Sequence, residues 1–124
     1  MTIIRGRVER NVPLIPLRIG GRVVEFVIDT GFDGEAALPH ELARELGITP
    51  IVLAPVELGD GSLRLMGVSI ASVEIEGIEI PIEVLLGSSD PIVGTGFLRH
   101  FRLVLDMRAG LVELEFHRPI STAA

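Results

Sequence analysis

The 124-residue chain is long enough for one domain, and its 48% hydrophobic content can supply a substantial core. Its formal net charge of −6 argues against nucleic-acid binding, which requires clustered lysines and arginines. The sequence has no cysteine, which excludes disulfides, thiolate metal sites and a cysteine nucleophile. We therefore expect a single domain over residues 1–124.

The N-terminal residues and the apolar runs indicate a protein without a leader or a membrane anchor. Charge enters the sequence at Arg5 and Arg7, too early for a signal peptide. No apolar run approaches the roughly 20 residues that a membrane helix needs. The sequence thus predicts a cytoplasmic protein with no membrane partner.

The first part of the chain is predicted to form strands and one helix. These elements are, in chain order, the strands Ile3–Val8, Val12–Ile19, Arg22–Ile28 and Ala36–Leu38 and the helix Pro39–Leu46. Because proline cannot donate to a sheet ladder, Pro13 and Pro16 predict an edge or irregular path for the second strand. Gly20-Gly21 is a two-residue hairpin signal before the third strand.

A long hairpin dominates the second part of the chain. The segments Ile51–Leu58 and Leu63–Ile75 flank a glycine-rich tip, Gly59-Asp60-Gly61-Ser62, in which Asp60-Gly61 is a favoured turn pair. The remaining predicted elements are the strands Ile78–Val84, Ile92–Gly94, Leu103–Leu105 and Val112–Phe116, a short helix Phe97–Phe101 and a frayed tail, Ser121–Ala124. Many short strands with one or two short helices predict an all-β class fold, mainly β, built as a small closed or nearly closed barrel.

The most informative stretch is the end of the strand Arg22–Ile28. The apolar run Phe26-Val27-Ile28 ends abruptly at Asp29, and Thr30 and Gly31 follow directly. An unpaired charge at the end of a buried strand is costly. Asp29 is therefore expected to have a partner or a chemical role.

A second segment echoes this one. Ile28-Asp29-Thr30-Gly31-Phe32 and Val93-Gly94-Thr95-Gly96-Phe97 share the pattern apolar, x, Thr, Gly, Phe, about half the chain apart. The echo is consistent with a duplicated half-domain in which Gly94 stands where the first copy has Asp29.

Amide hydrolysis without a metal or a nucleophilic side chain needs an activated water and a proton for the leaving nitrogen. Two adjacent carboxylates that share one proton supply both. The chain has one Asp-Thr-Gly. Neither Asp60 nor Asp106 is a candidate for the second carboxylate, because Asp60 lacks a preceding buried strand and Asp106 is not followed by a tight turn. A two-fold symmetric homodimer, with Asp29 from each subunit on the axis, is the simplest way to obtain the pair.

These features resemble the retropepsin-like aspartic proteases, in particular the small prokaryotic members with one Asp-Thr-Gly domain. The order of motifs matches over roughly residues 22 to 106: an apolar strand into Asp29-Thr30-Gly31, a glycine-tipped hairpin, and Ile92-Val93-Gly94 running into a short helix. The resemblance implies an acid-protease barrel with one lobe per chain. It also implies a homodimer that acts on a peptide or protein substrate as an aspartic endopeptidase.

The resemblance assigns roles residue by residue. Asp29 would be the catalytic carboxylate, Thr30 would hydrogen-bond across the dimer axis, and Gly31 would let substrate backbone lie close. Asp33 would bind substrate backbone, and the tip Gly59, Asp60, Gly61 and Ser62 would close over the peptide. Three residues depart from the family pattern, namely Phe32, Gly34 and Thr95. At the position of Thr95, viral members often have arginine.

Other patterns have simpler interpretations. His40, His100 and His117 show no metal-ligand spacing, and we predict neither a metal nor another cofactor. Gly94-x-Gly96 lacks the third glycine and the βαβ context of a dinucleotide loop. Asp33 fits a solvated turn residue equally well.

Two other functions fit parts of the sequence. The fold can serve as a dimeric peptide-binding or structural module with little peptidase activity, because fold does not establish function. Asp29-Thr30-Gly31 also resembles the phosphate-side loop of an acid-sugar kinase-like ATPase, although such domains are much longer and need a second phosphate loop.

Overall fold

A computed structural model describes residues 1–117, which form eleven strands and two short helices. The strands are β1 (Thr2–Arg5), β2 (Arg7–Glu9), β3 (Val12–Ile19), β4 (Arg22–Ile28), β5 (Ala36–Leu38), β6 (Val52–Glu57), β7 (Leu63–Ile75), β8 (Ile78–Leu86), β9 (Ile92–Val93), β10 (Phe101–Asp106) and β11 (Leu111–Phe116). The helices are α1 (His40–Glu45) and α2 (Thr95–Leu98). The prediction of a mainly β chain with short helices is confirmed. The predicted tail Ser121–Ala124 lies outside the described residues.

Eight of the strands form one sheet that closes on itself. Their order is β2-β3-β4-β9-β5-β8-β7-β6, and β3 also pairs with β7 through Arg18 opposite Glu74 and Ile19 opposite Val73. This additional pairing turns the strands from β3 to β7 into a barrel and leaves β2 and β6 as flanking strands. The predicted closed barrel is confirmed.

The barrel interior is filled by alternate residues of its strands, as expected when successive side chains point to opposite faces. On β3 the buried residues are Ile15, Leu17 and Ile19, and on β8 they are Ile82, Val84 and Leu86. Phe26 and Phe97 are completely buried. Each such side chain contributes about 1.5–3 kcal/mol on burial.

A second sheet of order β1-β11-β10 packs on the barrel. Its inner face carries Leu114 and Phe116, both buried, and the ring of Phe101 lies 5.5 Å from that of Phe116 and 4.9 Å from that of Phe97. Its outer face carries ion pairs between Arg5 and Glu113 and between Arg102 and Glu115.

The single strand predicted for Ile3–Val8 is wrong, because the chain changes sheets at Gly6. The Gly6 N–H donates to the Val112 carbonyl at 2.8 Å. A Cβ on Gly6 would lie 1.9 Å from the Leu14 carbonyl oxygen. β1 therefore belongs to the three-stranded sheet and β2 to the barrel.

The edge or irregular path predicted for Val12–Ile19 is found only around Pro16. β3 pairs with β4 along Leu14–Ile19, and on its other side β2 reaches only Leu14 whereas β7 begins at Arg18. Pro16 lies in the gap between β2 and β7. A proline is tolerated there because no strand faces the missing donor on that side.

The second helix begins earlier than predicted. It spans Thr95–Leu98 rather than Phe97–Phe101, because Gly94 is its N-cap and Phe101 already pairs with Phe116 in the three-stranded sheet. The other predicted strands and α1 agree with the structure to within a few residues.

The echoed segments are neighbours rather than equivalents. β4 is the second strand of one hairpin and runs parallel to the short strand β9. β8 is the second strand of another hairpin and runs parallel to the short strand β5. β5 and β9 pair antiparallel with each other, and a helix follows each of them. The internal symmetry therefore relates β4 to β8 and β5 to β9. The duplication predicted with Asp29 equivalent to Gly94 had the wrong register.

Candidate active site

Asp29 lies at the end of β4, where the chain leaves the barrel. β4 runs parallel to β9, and the Asp29 N–H donates to the Val93 carbonyl at 3.0 Å. The Phe32 N–H donates to the Asp29 carbonyl at 3.2 Å and closes a tight turn. The backbone of this half-buried residue is thus held on both sides.

The Asp29 side chain is oriented by its own loop. Its Oδ1 accepts the Gly31 N–H at 3.0 Å, an Asx-type turn in which the short side chain bonds the backbone two residues on. Within residues 1–117 no protein donor engages Oδ2 of this carboxylate. One carboxylate oxygen is therefore held by the loop, and the other is left without a protein hydrogen bond in this part of the chain.

The loop after Asp29 is clamped by the segment after β9. The Thr95 N–H and hydroxyl both donate to the Phe32 carbonyl, at 2.8 and 3.3 Å. The Gly96 N–H donates to the Gly34 carbonyl at 3.0 Å. Thr95, which departs from the family pattern, thus holds the loop by hydrogen bonds.

Three glycines make this close approach possible, and sequence reasoning missed their role. A Cβ on Gly94 would lie 2.3 Å from the Phe32 carbonyl oxygen, and one on Gly96 would lie 2.8 Å from the Asp33 carbonyl oxygen. A Cβ on Gly34 would lie 2.4 Å from the Phe32 ring. Phe32, half-buried and bulkier than the family pattern, is accommodated because Gly34 and Gly94 have no side chain. The repeated Thr-Gly-Phe echo was the available signal that the two segments belong together.

Thr30 and Gly31 lie on the surface of the subunit. Both are exposed, and the Thr30 hydroxyl has no hydrogen-bond partner among residues 1–117. A Cβ on Gly31 would lie 3.3 Å from Asp29 Oδ1, so the glycine keeps space open beside the carboxylate.

A cavity of about 350 Å³ adjoins the loop. It lies between Gly31–Ala36 on one side and Ala54–Glu57 of β6 on the other, with Val68, Glu83 and Leu85 completing its lining. Asp33 is among the lining residues, and Asp29 is not. The structure therefore brings Gly31 and Asp33 together with the body of the β6–β7 hairpin.

The hairpin tip, residues 59–62, does not line this cavity. It is held by its own turn, in which the Gly61 N–H donates to the Leu58 carbonyl at 2.9 Å and Gly61 has a φ of +83°. The hydroxyl and N–H of Ser62 donate to Asp60 Oδ1, and these bonds lower the pKa of the Asp60 carboxyl. Asp60 thus serves the turn, as its Asp-Gly pair predicted.

No group of three or more His, Asp or Glu side chains within residues 1–117 is arranged to hold a metal ion. Neither helix of this part of the chain has the length and apolar character needed to cross a bilayer.

Comparison with known proteins adds sequence and structural relatives. Residues 15–100 match a family model described as gag-polyprotein putative aspartyl protease. The structure is similar to the crystal structure of a retropepsin-like aspartic protease from Rickettsia conorii, with a TM-score of 0.73, 22% identity and coverage of 93% of this chain and 91% of that one. A comparison with curated protein sequences finds no match.

Two viral structures are similar over less of the chain. The EIAV protease complexed with the inhibitor HBY-793 gives a TM-score of 0.59 at 17% identity, covering 77% of this chain and 95% of that one. The simian foamy virus (mac) protease gives 0.52 at 15% identity, covering 69% of this chain and 91% of that one. These likenesses confirm the retropepsin-like fold that the sequence predicted.

Proposed function

This chain belongs to the family of gag-polyprotein putative aspartyl proteases, and from that premise we propose that it is an aspartic endopeptidase that works as a homodimer. Asp29 is the catalytic carboxylate. The observation that carries the proposal is the geometry of this residue. A rigid loop at a strand end fixes one carboxylate oxygen on the Gly31 N–H and leaves the other open.

The reaction needs a second carboxylate. Two carboxyl groups in contact cannot both be ionised, so the two Asp29 side chains share one proton. The ionised carboxylate acts as the base, and the protonated carboxyl group acts as the acid. The base removes a proton from water as the water oxygen attacks the peptide carbonyl. The acid then protonates the leaving nitrogen as the C–N bond breaks.

The structure of one subunit supports a second copy as the source of the second carboxylate. Asp33, the nearest aspartate along the chain, lines the adjoining cavity, whereas the Asp29 loop presents Thr30 and Gly31 to solvent. A two-fold axis through this exposed loop would supply the second carboxylate from an identical patch. Thr30, whose hydroxyl has no partner among the described residues, would then bond across the axis.

The substrate is an extended peptide that runs past Gly31 and Asp33 toward β6. The cavity between the active-site loop and β6 has room for a side chain of that peptide, and Gly31 leaves space for its backbone. The tip Gly59-Asp60-Gly61-Ser62 closes over the peptide in this proposal, which requires the β6–β7 hairpin to bend toward the loop when substrate binds.

Replacing Asp29 with Asn tests the assignment. The amide oxygen can still accept the Gly31 N–H, so the fold should be retained, but an amide cannot exchange the shared proton. We expect cleavage of a peptide library to be abolished at every pH from about 4 to 7. Glu41→Gln, the same chemical change on the exposed first turn of α1, should leave cleavage unchanged.

Wild-type rates in Asp29→Asn would refute the catalytic role. A wild-type protein that cleaves nothing in the library but binds a peptide would instead identify the dimeric binding module.

A further inference from the structure

The cavity beside the active-site loop is walled in part by apolar side chains. Val56 of β6, Val68 of β7 and Leu85 of β8 line it, and each of them is half-buried. Its volume of about 350 Å³ is large enough for one long side chain of a bound peptide. These walls suit the apolar part of such a side chain.

The cavity also contains a carboxylate that the fold holds in place. Glu35 lies directly before β5 and is half-buried. Its Oε1 accepts the Glu83 N–H of β8 at 3.0 Å, and both residues line the cavity. Its Oε2 accepts no hydrogen bond from the described part of the chain. A positioned carboxylate oxygen is thus left without a protein partner at the wall of the cavity.

No counter-ion for Glu35 lies in the cavity. Asp33, Glu57 and Glu83 line it as well, whereas no arginine or histidine of the described chain does. None of these four carboxylates forms an ion pair within the described chain, and Arg64 of the β6–β7 hairpin is not a lining residue. Removing a carboxylate from water without a paired charge is costly. A cation supplied by a bound peptide would therefore be stabilised here.

We propose that this cavity, through Glu35, selects a basic side chain of the substrate, lysine or arginine, close to the cleaved bond. Such side chains have an apolar stem and a cationic tip, which match the apolar walls and the carboxylates. The inference rests on the proposed aspartic endopeptidase and names the substrate class of its site. Because Asp29 is not a lining residue, the basic residue lies one or more positions away from the cleaved bond.

Two-fold symmetry predicts where the basic residues fall in the substrate. The proposed homodimer contains this cavity twice, related by the axis that passes between the two Asp29 side chains. A peptide that crosses the axis meets one cavity on each side of the cleaved bond. The preference should therefore appear at two positions, one before the bond and one after it.

Matched peptides test the preference. The neutral library peptide that is cleaved best is synthesised with lysine, arginine, glutamine or glutamate at each position around its cleaved bond. We expect kcat/KM for lysine or arginine at the two selected positions to be about tenfold above that for glutamine, and kcat/KM for glutamate to be below it. A control peptide carries its lysine at one end, which measures general attraction to a chain of net charge −6.

Glu35→Gln tests which residue is responsible. The amide oxygen can still accept the Glu83 N–H, so the loop should keep its position while the charge is lost. The ratio of kcat/KM for the lysine peptide to that for the glutamine peptide should fall about fivefold. Glu41→Gln, the same change on the exposed first turn of α1, should leave this ratio at its wild-type value. Added salt should lower the wild-type ratio, because it screens charges.

A binding measurement separates failure of this inference from failure of the proposed function. It uses the Asp29→Asn protein and a lysine and a glutamine version of the neutral library peptide that this protein binds most tightly. Equal dissociation constants for the two peptides would overturn the basic subsite. Cleavage by the wild-type protein with no preference for basic residues would overturn it too, and would leave the protease. Tighter binding of the lysine peptide, with no cleavage of any peptide by the wild-type protein, would support the subsite and count against the enzyme.

Discussion

Gly94→Ala should destabilise the protein through the active-site loop. The added Cβ would lie 2.3 Å from the Phe32 carbonyl oxygen, 2.5 Å from that of Gly34 and 2.6 Å from the Phe32 ring. Two of these atoms are backbone, so they cannot rotate away. The loop after Asp29 must move for the methyl group to fit.

The magnitude follows from what that movement breaks. A shift of roughly 1 Å at both carbonyls removes the two hydrogen bonds that the Thr95 N–H and the Gly96 N–H donate, worth about 0.5–1.5 kcal/mol each. Displacing the Phe32 ring adds an overpacking cost of about 1–3 kcal/mol. The sum is about 2–6 kcal/mol, which lowers the melting temperature of a domain of this size by roughly 8–24 °C.

Thermal unfolding followed by circular dichroism measures this change, at one fixed protein concentration because the proposed dimerisation would shift the transition. Gly59→Ala is the matched control, since nothing lies within 4 Å of its Cβ. It should change the free energy of unfolding by less than about 0.5 kcal/mol. Equal melting temperatures for the two variants would refute the close-packed clamp between Gly94 and the loop.

Two further predictions follow from the proposed dimer and from the hairpin tip. Specific activity should fall as the wild-type protein is diluted through its dimer dissociation constant, and activity that stays constant in a demonstrably monomeric sample would contradict a shared site. Ser62 lowers the pKa of Asp60, so the bonds between them stabilise the tip at neutral pH and are lost as the pH falls through that lowered pKa. Ser62→Ala should raise the Asp60 pKa toward its ordinary value in a carboxyl NMR titration, and an unchanged titration would contradict the bonding of the tip.

Local patterns in the sequence predicted the elements that carry the site. The apolar run into Asp29 predicted the end of a buried strand, and the structure ends β4 at Ile28. Gly20-Gly21 predicted a hairpin, and both glycines have positive φ, as a type I′ turn requires. These signals succeed because each depends on a few consecutive residues.

Relations between distant segments were harder to predict. The sequence did not reveal that the backbone of Gly6 packs against the carbonyl of Leu14. Nor did it reveal that β3 pairs with β7 beyond Pro16 and so closes the barrel. The echo of Asp29-Thr30-Gly31 at Gly94 marked two segments that touch, but it did not establish which strands are symmetry equivalents. Pairing of β5 with β9 fixes that, and no local pattern encodes it.

The most direct test of the central proposal mixes wild-type subunits with an equal amount of Asp29→Asn subunits, under conditions in which they exchange. If each active site takes one Asp29 from each subunit, only dimers of two wild-type chains are active, and activity falls to about a quarter of that of an all-wild-type sample at the same total concentration. Activity of about one half would mean that each wild-type subunit works alone, and would contradict the shared pair of carboxylates.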